Sequence, residues 1–477
     1  MSLPHLDWNI KTAREALDQK TISSAELTEA YLTRAEQRND ELNAYLTIMG
    51  DEARAAAQAS DERRLRGEVL SPIDGVPVAI KDNLMTKGTR TTGGSNILSS
   101  YLAPYDATVI QRLREAGAVI LGKTNLDEFG MGGSTENSAY GPSKNPVDTT
   151  RVAGGSSGGN ATALAADLCV ASLGTDTGGS VRLPASFCGV VGYKPTYGRV
   201  SRYGAIAMTS SFDQVGPMTK TVQDAATLLE IIQGQDKHDQ TTRPTQPLAF
   251  DPEEGMDKLK IGLPKQAWSL GGIEPGVRKA IEAGMERFKK LGAEFVEVDI
   301  PYVDAALAVY YIIVPCEVSS NMARLDGIRY GNRAKSDRLL DVYLDSRAKG
   351  LGDEVRRRIL IGTYALSKGY YDAYYVKARQ VQAEIRRAYA KAFERVDLLM
   401  TPTSPTVAYK IGEKSADPLA MYLQDIFTVS VNVAGLCAIS IPCGQSEGLP
   451  VGMQLIGPEM GDDKVLMAAD AFERFPD

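Results

Sequence analysis

Histidine is almost missing from this 477-residue chain, which has two, His5 and His238. His5 lies in an N-terminal segment expected at the periphery. His238 lies in the polar stretch GQDKHDQTTRPTQP, which reads as a surface linker. A Ser-His-Asp triad needs a histidine beside its serine and an acid to orient it, and neither histidine is placed for that. Cysteine is too sparse and too scattered to staple a fold. The five, Cys169, Cys188, Cys316, Cys437 and Cys443, are odd in number, sit in mostly apolar contexts and show no CxxC spacing. Buried reduced thiols are expected, and a disulfide framework or cysteine-built metal site is not. Positive charge is in deficit as well: a net charge of −7 argues against a surface dominated by nucleic-acid binding. No uninterrupted apolar run reaches the ~18 residues of a membrane span. The start, MSLPHLDWNIK, has no apolar signal-peptide core. The expectation is a cytoplasmic enzyme without membrane association.

What the chain does have is glycine next to serine. Between Arg151 and Pro195 two glycine-flanked serine sites, Gly154–Gly159 (GGSSGG) and Gly178-Gly179-Ser180, bracket a short apolar stretch. Glycine lets the backbone adopt positive φ and approach a ligand closely, and serine offers a hydroxyl that donates and accepts at once. The pair points to nucleophilic chemistry with an oxyanion hole of backbone N–H groups. Two tight turns joined by a helix is the plainer alternative. With no histidine at hand, another base must take the serine proton. Lys81 closes the apolar run of GVPVAIKDN. A lysine can act as base if desolvation or nearby positive charge keeps it neutral; a snorkelling surface lysine is the other reading.

One motif is a false lead. Residues 117–124, GAVILGKT, satisfy the G-x-x-x-x-G-K-[ST] phosphate-binding pattern. That pattern works as a strand–loop–helix unit whose loop amides face phosphates. Here Ala-Val-Ile-Leu is a β-prone run and a helical stretch, ATVIQRLREAGA, precedes it. The order is wrong for a nucleotide-binding protein, which stays only as a distant alternative.

Residues 10–37 and 50–66 carry helical periodicity, with Ser23-Ser24-Ala25-Glu26 as a capping signal. From Pro77 onward, β-prone runs (VPVAI, AVILG, LKIGL, EFVEVD, DLLMTPT, AISIPC, VGMQLIG) alternate with helical stretches. This predicts an α/β fold with a central mixed, largely parallel β-sheet covered by helices on both faces. Residues 235–256 are polar and Gln/Thr/Pro-rich, an expected excursion between two halves.

Three separated blocks, Lys81 in PVAIKDN, Ser156 in GGSSGG and Ser180 in GTDTGGSVRLPASFCG, resemble the amidase signature family in order and spacing. The resemblance implies a Ser–Ser–Lys triad. Ser180 would be nucleophile, Ser156 the bridging serine with its peptide held cis, and Lys81 the base. The amides of Thr177, Gly178, Gly179 and Ser180 would form the oxyanion hole. It also implies one domain over 1–477: peripheral helices in 1–66, the catalytic core in 67–234, a polar linker in 235–256, and the rest of the sheet with the substrate-pocket helices in 257–477.

Within that family, residues 129–146, 319–331, 357–378 and 422–444 resemble the glutaminase subunits of tRNA-dependent amidotransferases. That resemblance places Arg358 on the α-carboxylate and Asp425 on the α-amino group of free glutamine, with Tyr310 or Tyr311 lining the pocket. The logic is sound on its own terms, since a zwitterion needs one cation and one anion and arginine grips a carboxylate with two parallel bonds. Read without the family, Arg358 is one of three basic residues on a helix face and Asp425 a polar helix residue. The resemblance further implies B and C subunits as partners in a heterotrimer that converts Glu-tRNA(Gln) to Gln-tRNA(Gln). No cofactor is expected in this chain, with ATP and Mg²⁺ used by the B subunit. Ala153, Leu183, Asn160 and Thr162 depart from the family pattern. A stand-alone amidase acting on another amide is the nearer alternative.

Overall fold

The computed structural model describes residues 7–250, 258–269, 272–414 and 417–475. Its centre is one eleven-stranded sheet. In chain order the strands are β1 (Tyr45–Ile48), β2 (Pro77–Lys81), β3 (Val119–Thr124), β4 (Ala171–Asp176), β5 (Val191–Lys194), β6 (Gln214–Thr219), β7 (Lys260–Pro264), β8 (Glu294–Val298), β9 (Leu398–Pro402), β10 (Ala438–Ser446) and β11 (Leu449–Ile456). Across the sheet they run β1-β3-β2-β4-β6-β5-β10-β11-β9-β7-β8. All seven β-prone runs read from the sequence are strands. The α/β class and the mixed sheet are as expected, but its balance is not. Only β2/β3, β2/β4, β7/β8 and β7/β9 are parallel. The other neighbours are antiparallel. One cause is local: Glu447 and Gly448, with φ of 54° and 78°, make the two-residue turn that pairs Ser446 with Leu449. Positive φ at both central positions suits a hairpin.

The strands passed over in the sequence, β1, β4, β5 and β6, are short or broken by glycine and proline. Pro217 in β6 faces Leu173 of β4, while the β5 register stops at Met218. Its missing N–H is therefore not called on by a second neighbour.

Side chains of successive strand residues feed opposite faces. Leu398, Ile439 and Leu455 join one apolar cluster, and Leu399, Ala438 and Ile456 the other. Helix Ser24–Leu42 belongs to the first cluster. Ser23 caps it: its Oγ accepts the Glu26 amide at 3.1 Å, and the Glu26 carboxylate accepts the Ser23 amide at 2.9 Å. Leu27, Tyr31 and Leu32 of that helix are buried with β2 and β3. The N-terminal helices expected at the periphery thus lie outside the sheet yet supply part of its core.

The second cluster is built around helix Ala306–Asn321, within a helical run, Val303–Arg324, of 22 residues whose most apolar 18 have a mean hydropathy of 1.4. Asp304 and Glu317 interrupt it, so it is not an uninterrupted apolar stretch of the kind the sequence was expected to lack. In the fold, Val309, Tyr310, Ile313, Val314 and Val318 of this run pack into the core. Helix Asp353–Ala365 crosses it closely at Gly362, where an added Cβ would stand 1.8 Å from the carbonyl oxygen of Pro315. Glycine is the residue that permits this approach, and the crossing brings Arg358 to Tyr310 and Tyr311.

Residues 235–250 form no helix or strand, and the rest of the expected linker, from 251, lies outside the described residues. Asp236 ties this segment down by accepting the Ser201 and Thr108 hydroxyls, each at 2.6 Å.

Candidate active site

β2 and β4 are parallel neighbours, so their carboxyl ends open on the same edge of the sheet. Such edges are where α/β sheets place ligands. Lys81 ends β2. Thr177–Ser180 leaves the end of β4 and leads into helix Arg182–Cys188. The topology therefore joins residues about a hundred positions apart. GGSSGG lies between them at the start of helix Gly158–Ala165, and the Ser157 amide donates to the Ser180 carbonyl at 3.1 Å. The two glycine-serine sites are one structure.

Lys81 is wholly buried. Its Nζ donates to Ser156 Oγ at 2.7 Å and to Thr175 Oγ1 at 2.9 Å, with Thr175 O at 3.3 Å. Burial pushes its ammonium down to about 7, against the opposing charges of Asp127, Asp176 and Asp213. A substantial neutral fraction then exists near neutral pH, as a base requires. The Gly155–Ser156 peptide is cis, as the resemblance implied. Asp127 packs against it: a Cβ on Gly155 would come within 2.2 Å of Asp127 Oδ2. Burial lifts the Asp127 carboxyl to about 6 although the Thr135 and Asn137 amides stabilise its charge. Ser180, 8% exposed, is the most open of the three candidate triad residues.

The acylation loop departs from expectation at one amide. Gly179 N–H donates to Asp176 Oδ1 at 2.9 Å, so it is turned into the protein and not toward a substrate. Among the described residues no acceptor takes the amides of Thr177, Gly178 or Ser180, which leaves these three free to donate to a substrate oxygen. Asp176 is held by a fully buried Arg182 through two bonds of 3.0 Å. Burial opposes its ionisation, but Arg182 keeps the carboxyl well below the usual carboxylate range. Thr177 Oγ1 donates to the half-buried Asp213 at 2.7 Å.

Arg358 is distinguished from its neighbours by burial. Arg356 and Arg357 are exposed, whereas Arg358 is 3% exposed and its Nε donates to Glu354 Oε1 at 2.8 Å. Its guanidinium carbon lies 5.5 Å and 5.7 Å from the ring centroids of Tyr311 and Tyr422, which stack on each other. Asp425, half-buried in a short turn, lies within electrostatic reach of Arg358. Burial lifts its carboxyl to about 8, with Arg358 the main opposing influence. Among the described residues no ion pair joins Arg358 to Asp425, the Arg358 pair being with Glu354. A cation and an anion held near but apart can take the two ends of a zwitterion. Both tyrosines pack here. Tyr310 presses on the acylation loop, where a Cβ on Gly178 would meet its Oη at 2.7 Å, and Tyr311 stands between Tyr310 and Tyr422.

Thr175, Asp176, Arg182, Glu354, Tyr422 and Thr428 were not singled out from the sequence. Asp176 and Arg182 lie in the motif already quoted. Glu354 stands four residues before Arg358, the spacing of a helical ion pair. The discarded leads are also resolved. His238 is exposed and stacks on Tyr203 at 4.6 Å, while His5 lies outside the described residues. The phosphate-loop look-alike is β3: Lys123 is buried and donates to Leu84 O at 2.7 Å and Thr91 Oγ1 at 2.9 Å. All five cysteines are free thiols.

A buried lysine bonded to one serine, with a second serine and free loop amides close by, is the arrangement suited to a class, serine hydrolases of amides without histidine. The chain belongs to the amidase family, whose model, Amidase, matches residues 26–466. Among individual proteins it is 50% identical over 471 residues to the A subunit of glutamyl-tRNA(Gln) amidotransferase from Desulfatibacillum aliphaticivorans, covering 98% of this chain and 97% of that protein. It is 51% identical over 472 residues to the same protein of Geobacter metallireducens, covering 98% and 97%. The crystal structure of the corresponding A subunit from Thermotoga maritima matches with a TM-score of 0.83 and 41% identity, over 99% of this chain and 96% of that one.

Proposed function

We propose that this chain is the glutaminase subunit of a tRNA-dependent amidotransferase. The observation that carries the reading is how the charged pair joins the Ser180 loop. A buried arginine and a carboxylate, not paired to each other, connect to Gly178 of that loop, Arg358 through Tyr311 and Tyr310 and Asp425 through Thr428. The likeness to amidotransferase A subunits over nearly the whole chain supports it.

Glutamine binds with its carboxylate on Arg358 and its ammonium on Asp425, its side-chain amide over Ser180. Neutral Lys81, acting through Ser156, takes the Ser180 proton as Oγ attacks the amide carbon. The amides of Thr177, Gly178 and Ser180 receive the developing oxyanion; one such donor is typically worth about 2.7–4 kcal/mol. Lys81 returns the proton through Ser156 to the leaving nitrogen, and the C–N bond breaks to release ammonia. Water then attacks the γ-glutamyl ester, giving glutamate and free Ser180. The ammonia serves conversion of Glu-tRNA(Gln) to Gln-tRNA(Gln) on a B subunit, where ATP and Mg²⁺ are used, within a heterotrimer completed by a C subunit.

The test is Ser180→Ala and Lys81→Ala in the assembled enzyme. Each is expected to abolish glutamine hydrolysis and leave amidation from free ammonium intact. The double variant is expected to be little worse than either, because members of a catalytic unit do not lose activity additively. Equal loss of both activities overturns the division of labour. Turnover of simple amides but not glutamine selects a stand-alone amidase.

A further inference from the structure

The Gly178–Gly179 peptide is gripped at both ends. Its N–H donates to Asp176 Oδ1 at 2.9 Å, and its carbonyl accepts the Thr428 hydroxyl at 2.6 Å. A peptide between two glycines has little intrinsic preference for one face over the other, so these bonds decide which way it lies. The next peptide follows. The Gly179 carbonyl accepts the Leu183 amide at 2.7 Å, and because N–H and C=O of a trans peptide point oppositely, the Ser180 N–H is left facing away from that bond. Gly179 itself has φ +139°, and a Cβ there would stand 2.3 Å from Thr428 Oγ1.

Thr428 is fully buried and anchored on two further sides. Its amide donates to the Asp425 carbonyl at 3.0 Å, and its carbonyl accepts from Arg182 at 3.2 Å. It thus sits on the turn that carries Asp425 while touching the loop that carries Ser180; among the described residues its hydroxyl bonds to the Gly178 carbonyl at 2.6 Å, with the Asp425 carbonyl farther at 3.1 Å, and to no serine hydroxyl.

The geometry points to Thr428 as a positioning residue. Its hydroxyl locks the Gly178–Gly179 peptide so that the amides of Gly178 and Ser180 face the acyl oxygen, and it ties this oxyanion loop to the turn that receives the substrate's ammonium. The choice of glutamine as substrate rests on the function proposed above; the loop-locking role does not.

Two features of this residue, its hydroxyl and its methyl, are separable by substitution. Thr428→Val keeps the shape and loses the hydroxyl. Thr428→Ser keeps the hydroxyl and loses the methyl. Both are measured in the full-length enzyme with its partner subunits, on glutamine and on propionamide, with thermal midpoints recorded. Thr428→Val is expected to lower kcat at least about tenfold on both substrates, since a misplaced oxyanion donor costs transition-state binding. KM for glutamine is expected to stay within about threefold, and Thr428→Ser to stay within about threefold in kcat. A packing role would reverse the order and make serine the worse variant. Unchanged kcat in Thr428→Val, equal losses in both variants, or a rise in KM alone overturns the assignment. If Thr428→Val does not fold, Thr428→Ala against Thr428→Ser reads the same contrast. Should the wild type cleave propionamide and not glutamine, the glutaminase reading fails while propionamide kcat still decides the role of Thr428.

Discussion

The amide of Ser157 donates to the carbonyl of Ser180 at 3.1 Å. This one bond splices the loop of Ser156 to the loop of Ser180. Both loops then lie beside Lys81 because β2 and β4 are parallel neighbours with their carboxyl ends together. Ser156 and Thr175 hold the Lys81 amine in place.

The buried lysine and the pocket carboxylate give the activity a pH signature. Lys81 must be neutral to act, and its folded value of about 7 makes turnover rise as pH climbs through that point. Asp425 must be ionised to hold an ammonium, and its value of about 8 in the free protein makes glutamine binding tighten as pH climbs through 8. kcat/KM for glutamine should therefore show two overlapping ascending limbs, and for propionamide only the one near 7. Asp425→Asn should erase the difference between the profiles. Superimposable profiles in the wild type would remove Asp425 from ammonium binding.

Arg358 and Asp425 should act on binding, not on bond breaking. Asp425→Ala is expected to raise KM for glutamine about ten- to hundredfold, the cost of leaving a polar partner unpaired, with little change on an amide lacking both head groups. Arg358→Lys should behave similarly, because an ammonium cannot reproduce the planar two-bond grip. It would also loosen the contact with Glu354 Oε1 and the tyrosine rings. Steady-state kinetics on the two substrates decide it. Equal losses on both would make these residues structural.

Gly362 should be as sensitive as a pocket residue although it touches no substrate. A Cβ there would stand 1.8 Å from Pro315 O, so Gly362→Ala must push helix Asp353–Ala365 away from helix Ala306–Asn321. Overpacking of this kind costs about 1–3 kcal/mol. The displaced Arg358 should raise KM for glutamine roughly ten- to hundredfold, as small misplacements do. Thermal unfolding and glutamine kinetics on the same preparation test both halves. A variant with a lowered midpoint and an unchanged KM would break the link between this crossing and the pocket.

Local chemistry was legible in the sequence wherever it depends on neighbours along the chain. The Ser23–Glu26 cap, the seven strand segments read as β-prone, the paired glycine-serine sites and the scarcity of histidine all follow from residue type and short spacing. So did the rejection of the phosphate-loop pattern, since the apolar run of β3 announces a strand. The seven runs also gave the α/β class, but not the predominance of antiparallel neighbours. Strand direction depends on which segments meet, and β5 and β6, broken by glycine and proline, carry little local signal of their own.

Tertiary structure alone decided the rest. Lys81 as a desolvated amine and not a snorkelling one follows from its burial between β3 and β4. Arg358 separates from Arg356 and Arg357 only because the Gly362–Pro315 crossing buries one face of its helix. The Gly179 amide looks like an oxyanion donor in the sequence and is claimed in the fold by Asp176, a residue three positions earlier brought back by the turn. Thr428, without a motif of its own, became visible only as the hydroxyl on the Gly178 carbonyl. In each case the deciding quantity is a distance or a dielectric between groups far apart in the chain, and neither is encoded by composition or short-range spacing.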